Sequence, residues 1–206
     1  VGLLMVSVLG GNTANTEFEF LTGNTMAFLP QGSVAYQQYV KSNDYSIATY
    51  LKSKGYDTIA MHPYNASGWD RDKVYPLLGF DTFYSLKDWV NPVKIRKYVS
   101  DQSCYDKIIE LYEQKDANTP FFLFNVTMQN HSSYSEEYDN FHPDITVEGT
   151  SSKILPNYLS LIKLSDQALE NLIEYFSQAD EDTVIVFFGD HQPSNSVAAP
   201  VWKLNG

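Results

Sequence analysis

The sequence predicts an α/β fold in which a mostly parallel central sheet carries helices on both faces. Strand-like apolar runs and helical patterns alternate along the 206 residues. The strand runs are apolar throughout, which is typical of parallel strands that are buried on both faces. Polar residues follow each run, at the carboxyl end where such sheets bind ligands. These three observations together indicate the fold class and the place to look for a site.

Four strands are predicted from runs of apolar, β-branched and aromatic residues. They are Gly2–Leu9, Tyr56–Met61, Pro120–Val126 and Thr183–Phe188. Four helices are predicted between them from apolar residues at helical spacing and from glycine stop signals. They are Asp44–Lys54, Arg71–Leu78, Asp101–Lys115 and Pro156–Gln178.

The amino-acid composition limits the number of domains and the classes of molecule that this protein can bind. With 43% hydrophobic and 15% aromatic residues the chain can bury a core, and we expect one catalytic domain over 1–193 and a tail at 194–206 that is a cut or disordered end. The formal charge of −11 argues against a nucleic-acid partner. An anionic substrate therefore needs a few placed cations or a metal. The single cysteine, Cys104, leaves the compartment open.

The first strand exit is the segment GGNTAN, residues 10–15. It is either an ordinary strand-to-helix corner with a capping Asn or Thr, or a site where glycines let phosphate approach a nucleophilic hydroxyl at a helix N-terminus. Thr13 is the candidate nucleophile.

The other strand exits carry histidines. His62 follows the second predicted strand, His131 follows the third, and Gly189, Asp190 and His191 follow the fourth. Adjacent carboxylate and imidazole groups can bind one divalent ion, although a turn-capping Asp beside a surface His gives the same pattern. Any single histidine here also fits a satisfied core residue.

The segment WDRD at 69–72 offers Trp69 as a pocket wall and Arg71 as a fork for phosphate oxygens. The same letters fit a helix start with Asp70 as its cap. Taken together, the hydroxyl, the carboxylate–imidazole pair, the arginine and the histidines favour a metal-assisted phosphoesterase or transferase.

Five segments then resemble, in order, the catalytic domain of the lipoteichoic acid synthase family, which are phosphoglycerol transferases in the sulfatase-like branch of the alkaline phosphatase superfamily. They are GGNTANTEFEFLTG, MHPYNASGWDRDKVY, LGFDTFY, NVTMQNHSSY and FFGDHQP. The resemblance runs from about Leu9 to Pro193. It implies an alkaline phosphatase-like fold that is incomplete at the N-terminus, because the family's glutamate metal ligand is expected upstream of residue 1. Glu17 and Glu19 are not expected to replace it.

The resemblance also implies the roles of individual residues. Thr13 matches the metal-bound nucleophile and His131 the catalytic histidine of the glycerol phosphate pocket. The implied metal is Mn²⁺ or Mg²⁺, with Zn²⁺ less suited to these ligands. The implied metal ligands are Thr13, Asp190 and His191, and the implied substrate-binding residues are His62, Trp69, Arg71 and His131.

The function implied is transfer of glycerol phosphate from an anionic glycerophospholipid, through a phospho-threonine, to glycerol phosphate or a glycan. It implies a parent protein anchored in the bacterial membrane by a segment outside this chain, with the domain on the extracellular face. The alternatives are a phosphodiesterase or phosphatase and an inactive glycerol-phosphate-binding domain. Cys104 lacks the C/S-x-P-x-R context of a true sulfatase, and Ser132-Ser133-Tyr134 replaces the family's usual Tyr-Pro-Phe after His131.

Overall fold

The structure is a computed structural model that describes residues 4–8 and 11–205. Its α-helices are α1 Thr13–Thr22, α2 Ala35–Gln38, α3 Ile47–Lys52, α4 Arg71–Leu77, α5 Asp101–Gln114, α6 Leu155–Ser177 and α7 Asn195–Asn205. Its strands are β1 Asp57–His62, β2 Thr82–Ser85, β3 Lys94–Ile95, β4 Tyr98–Val99 and β5 Phe121–Asn125. Short 3₁₀ turns lie at Met26–Phe28, Gly68–Asp70 and Leu86–Asp88.

A parallel sheet flanked by helices confirms the predicted fold class. Its strand order is β2–β1–β5, and β1 pairs in parallel with both neighbours. Ile59 lies opposite Thr82 on one side and opposite Leu123 on the other. The strands predicted at Tyr56–Met61 and Pro120–Val126 are confirmed as β1 and β5. The carboxyl ends of these strands therefore share one edge of the sheet.

The four predicted helices are present as α3, α4, α5 and α6, with ends that differ by a few residues. The largest difference is at α3, which begins at Ile47 rather than at Asp44. There, Ser46 caps the helix because its hydroxyl accepts the N–H of Thr49 while Thr49 bonds back to Ser46. The helix cannot extend toward Asp44 once this reciprocal cap has formed.

Two predicted strands are wrong. The described part of Gly2–Leu9, residues 4–8, forms no strand, and neither does Thr183–Phe188; residues 2, 3 and 9 lie outside the described residues. Val184 and Val186 are instead exposed. An apolar run supplies the side chains of a buried strand but not the neighbour whose N–H and C=O groups complete it, so pairing is decided by tertiary contacts.

The prediction also missed β2 and the antiparallel pair β3–β4. Each is four residues or shorter. Such segments are too brief to show an apolar period in the sequence. The pairing of Lys94 with Val99 and of Ile95 with Tyr98 closes a tight hairpin around Arg96 and Lys97.

The chain forms two compact units. The first comprises Val1–Trp89, Gln114–Val126 and Phe187–Gln192, and the second Val90–Glu113, Thr127–Val186 and Pro193–Gly206. In the first unit, α1 to α4 pack an aromatic core with the sheet, centred on Tyr75, Phe80 and Phe124. In the second, α7 occupies the segment where the sequence predicted a cut or disordered tail. Among the described residues, no helix combines the length and apolar character needed to cross a lipid bilayer.

Candidate active site at the N-terminus of α1

Thr13 is the first residue of α1, and the chain reaches it through an unusual corner. Gly11 has φ 105°, and Asn12 has φ 64° and ψ 45°, so both lie in the left-handed region. Asn12 occupies the cap position, but its side chain makes no capping hydrogen bond. The N–H groups of the first turn therefore receive no hydrogen bond from the Asn12 side chain. Such an N-terminus carries partial positive charge and favours an anion.

Thr13 and Asp190 meet across the sequence. The Thr13 hydroxyl donates a hydrogen bond of 2.6 Å to Asp190 Oδ2. One turn along α1, the Thr16 hydroxyl donates to the backbone carbonyl of Asp190 at 2.5 Å. Two hydroxyls of one helix thus fix both the backbone and the carboxylate of the aspartate. The structure brings together these two predicted site residues although 177 positions separate them.

His191 completes this cluster. Its Nε2 lies 3.3 Å from the same carboxylate oxygen, Asp190 Oδ2. Its Nδ1 lies 2.8 Å from the carbonyl oxygen of Gln192, a contact that favours the proton on Nδ1. In that neutral tautomer Nε2 presents a lone pair beside a carboxylate. Two neighbouring groups that both offer electron pairs suit a shared cation.

The donor chemistry of Thr13, Asp190 and His191 fits an oxygen-preferring divalent cation such as Mn²⁺ or Mg²⁺. The cluster supplies one hydroxyl, one carboxylate and one imidazole. Within residues 4–8 and 11–205, no group of three or more His, Cys, Asp and Glu side chains could hold a metal ion. With the Thr13 hydroxyl counted, the cluster offers three protein donors.

Glu17 and Arg71 form a buried ion pair behind this corner. Both Arg71 Nε and Nη2 donate to the Glu17 carboxylate, with Nε at 3.1 and 3.2 Å from its two oxygens. Tyr75 donates its hydroxyl to the same carboxylate at 2.8 Å. Burial alone would raise the pKa of Glu17, but Arg71 and Tyr75 outweigh it, and the pKa lies below its usual range. Glu17 is therefore an anion held inside the first unit.

The nitrogens of Arg71 are engaged by groups of the protein, and its predicted substrate-binding role stays a prediction. Arg71 is 2% exposed. Two of its nitrogens donate to Glu17, and Nη1 donates to the carbonyl of Gly68 at 3.2 Å. The sequence could not reveal this partner, because Glu17 lies 54 positions away. Arg71 ties α1 to the turn that carries Trp69.

That turn places Trp69 partly buried against the aromatic core, with φ 58°. Asp70 follows with φ 59° at the start of α4, but its carboxylate bonds to Lys73 at 2.8 Å and caps nothing. His62 ends β1 and is buried, with Nδ1 2.9 Å from the carbonyl of Val126. The substrate-binding roles of Trp69 and His62 stay predictions.

His131 belongs to the second unit and follows β5 along the chain. Its side chain is exposed. Its Nδ1 lies 3.0 Å from the carbonyl of Ser132 and 3.2 Å from the hydroxyl of Tyr98. Its catalytic role also stays a prediction.

Sequence reasoning missed several residues that organise these sites. Glu17 had a signal, since it is a charge on the mainly buried face of α1, four residues after Thr13. Arg96 had another, since Arg71 and Arg96 are the only arginines of the sequence. Cys104 is buried in α5, and burial raises the pKa of its thiol well above the usual range, as expected of a packing residue rather than a nucleophile.

Comparison with known proteins supports the motif resemblance. The family described as sulfatase matches residues 2–199. A putative cyclic β-1,2-glucan modification protein of Rhizobium meliloti is 39% identical over 203 residues, which cover 96% of this chain and 31% of the relative. The chain thus spans about a third of the length of that relative.

Solved structures agree. The phosphoglycerol transferase GacH of Streptococcus pyogenes, in complex with sn-glycerol-1-phosphate, has a TM-score of 0.77 at 28% identity, covering 96% of this chain and 54% of that one. The lipoteichoic acid synthase LtaP of Listeria monocytogenes has a TM-score of 0.72 at 25% identity, covering 84% and 41%. With a family match over nearly all of its length and structural neighbours that are phosphoglycerol transferases, the chain belongs to the sulfatase family.

Proposed function

We propose that this chain is the catalytic domain of a phosphoglycerol transferase that uses Thr13 as its nucleophile. The observation that carries the proposal is the contact of the Thr13 hydroxyl with Asp190 Oδ2, 2.6 Å apart at an uncapped helix N-terminus, with His191 beside the same oxygen. A hydroxyl, a hydrogen-bond acceptor for its proton and a positive helix end are the parts that attack on a phosphorus centre needs.

In the first half-reaction, Thr13 Oγ forms a bond to the phosphorus of a glycerophospholipid while the bond from phosphorus to the diacylglycerol oxygen breaks. Asp190 Oδ2 accepts the hydroxyl proton, and we assign protonation of the departing alkoxide to His131. In the second half-reaction an acceptor oxygen forms a bond to the same phosphorus while the bond from phosphorus to Thr13 Oγ breaks. The acceptor hydroxyl gives its proton to His131, and Asp190 returns its proton to Thr13 Oγ. A divalent cation held by Thr13, Asp190 and His191 would supply Lewis-acid stabilisation of the phosphate charge.

Glycerol phosphate is proposed as the transferred group because GacH, a structural neighbour, is described in complex with sn-glycerol-1-phosphate. The glucan-modifying relative favours a glycan as one acceptor, and LtaP favours glycerol phosphate as the other. A lipid donor places the enzyme at a membrane, and we propose that the intact protein is anchored there with this domain on the extracellular face.

The test is transfer of labelled glycerol phosphate from phosphatidylglycerol to added glycerol or glucan by the intact protein. Thr13→Ala is expected to abolish transfer, and Thr13→Ser to retain part of it, because the serine keeps the hydroxyl. Thr22→Val is the matched control at the other end of α1, where the threonine hydroxyl donates to the carbonyl of Phe18 and accepts from the N–H of Asn24. Unchanged transfer in Thr13→Ala contradicts the proposal.

Products separate the alternatives. Free glycerol phosphate formed equally with and without acceptor indicates a phosphodiesterase. Binding of glycerol phosphate without turnover indicates an inactive binding domain.

Metal binding is tested by Mn²⁺ calorimetry. Asp190→Ala is expected to lose the binding, whereas Asp182→Ala, which removes an exposed carboxylate of the same segment, is expected to keep it. Equal Mn²⁺ binding by the two variants would show that the cation does not bind at Asp190.

A further inference from the structure

Arg96 lies buried beneath the segment that carries His131, within the second unit. It is 4% exposed and has φ 56°, in the left-handed region that a non-glycine residue rarely occupies. Asn140 holds this conformation, because its side-chain amide donates to the carbonyls of both Lys94 and Arg96 at 3.0 Å. The hairpin β3–β4 therefore presents the Arg96 guanidinium in a fixed position.

The guanidinium collects the carbonyls of three alternate residues. Nη1 donates to Ser133 at 2.6 Å, and Nη2 donates to Gln129 at 2.6 Å and to His131 at 2.7 Å. The His131 carbonyl belongs to the peptide that follows His131, and the carbonyls of Gln129 and Ser133 lie two residues before and after it. Fixing them sets the direction of the bond from the His131 backbone to its side chain.

The imidazole ring of His131 is fixed separately. Its Nδ1 lies 3.0 Å from the carbonyl of Ser132, and the Tyr98 hydroxyl lies 3.2 Å from both Nδ1 and that carbonyl. A carbonyl oxygen only accepts, so Nδ1 carries the proton and Tyr98 donates to Ser132. The ring nitrogen left to a ligand is then Nε2, which has no hydrogen bond among the described residues.

Burying the Arg96 guanidinium costs free energy that the ordering of a surface loop does not require. Burial disfavours a charged guanidinium and lowers the pKa of Arg96, and its Nε is buried without a partner in the described chain. The faces of Tyr98 and Tyr134 lie 5.6 and 5.5 Å from the guanidinium carbon. The residue thus ordered, His131, is itself exposed and contributes little to a core. A core requirement therefore does not account for the arrangement.

We propose that Arg96 and Tyr98 are positioning residues that present His131 with Nε2 as its proton-exchanging atom. The proposal deepens, and rests on, the phosphoglycerol transfer proposed above. Arg96 acts on the backbone and Tyr98 on the ring, and neither needs to touch the substrate. Lysine cannot replace Arg96, because one ammonium lacks the planar fork that reaches three carbonyls.

The first test reads the ring directly by ¹⁵N NMR of histidine-labelled protein, with the signal of His131 assigned from its loss in His131→Gln. In the wild type with the ring neutral, Nδ1 is expected to carry the proton. In Arg96→Lys and Tyr98→Phe a mixture of both tautomers is expected. Lys94→Met, which removes an exposed charge from the same hairpin, is expected to leave the wild-type pattern.

The second test is steady-state transfer. Arg96→Lys is expected to lower kcat by about 10- to 100-fold, as misplacement of a catalytic group does, with a much smaller change in KM. Rates are expressed per folded molecule from parallel thermal unfolding. If Arg96→Lys only lowers the stability of the protein and keeps the wild-type tautomer and kcat, the proposal is overturned.

The two levels fail differently. A wild type without transfer removes the proposed function, whereas the tautomer measurement still decides whether Arg96 and Tyr98 set the ring. Normal transfer with unchanged tautomers in both variants removes only the positioning role.

Discussion

Both arginines of the chain are withdrawn from solvent, although a substrate with a phosphate group needs positive charge. Arg71 is engaged by Glu17 and Arg96 by three carbonyls. In a protein with a net charge of −11, the N–H groups that begin α1 are a source of positive potential beside Thr13. Both guanidinium groups are engaged by groups of the protein itself.

The ion pair behind the corner gives the first prediction at this scale. Glu17→Gln is expected to lower the free energy of unfolding by about 3–5 kcal/mol, because it leaves the Arg71 charge buried without its partner. Urea unfolding measures the change. Glu19→Gln is the matched control on the same helix, since Glu19 is only half-buried and bonds to Ser7, Thr25 and the N–H of Met26. A loss no larger than that of Glu19→Gln would contradict the pairing.

The same pair predicts a pH dependence. The pKa of Glu17 is held below its usual value of 4.5, so the unfolded chain takes up this proton at higher pH than the folded one. The stabilisation is full above about pH 4.5 and is lost as the pH falls through the folded pKa. The difference in melting temperature between wild type and Glu17→Gln is therefore expected to shrink on acidification. A difference that stays constant from pH 7 to pH 3 would show that the charge is not involved.

At the scale of elements, glycines mark where two helices end and the chain turns toward the next strand. Gly55 follows α3 and Gly79 follows α4, with φ values of 87° and 92°. Both conformations are disfavoured for residues with a Cβ. The two positions differ in their surroundings, since a Cβ at Gly55 would meet open space while one at Gly79 would lie 2.8 Å from the backbone nitrogen of Thr49.

This contrast gives a matched pair of substitutions. Gly55→Ala is expected to cost about 1–2 kcal/mol of stability from backbone strain alone. Gly79→Ala is expected to cost clearly more, because α3 must also move away from the new methyl group. Chemical denaturation of both variants measures the difference, and equal losses would show that α3 does not pack as described.

At the scale of the whole molecule, charge and exposed apolar surface act in opposite directions. The net charge of −11 keeps molecules apart. The run Val184–Phe187 is exposed over consecutive residues, and such a segment invites association with other chains. Its effect should grow at high salt, where charge repulsion is screened.

Two valines of equal exposure test this. Val184 is 89% exposed inside the run, whereas Val90 is 88% exposed outside it. Val184→Lys is expected to slow concentration-dependent association, measured by light scattering in 0.5 M salt. At that salt concentration the Debye length is roughly a few ångström, so charge repulsion between molecules is screened. Val90→Lys is expected to change it little. Equal effects of the two would attribute association to charge alone.

By itself the sequence determined the fold class, β1, β5 and four helices. It also determined the polar residues at two strand ends that the structure contains, His62 at the end of β1 and His131 after β5. These features depend on local periods of apolar residues and on glycine stops, which short segments of chain already contain. The motif GGNTAN and the pair Asp190–His191 were recognisable for the same reason, since each is contiguous.

Tertiary structure alone decided the partners. It left Leu4–Val8 and Thr183–Phe188 outside the ladders, because a strand exists only where a neighbour offers its N–H and C=O groups. It paired Arg71 with Glu17, and it placed Arg96 under the carbonyls around His131. Contacts between residues tens of positions apart are fixed by how the elements pack, and no local pattern records them.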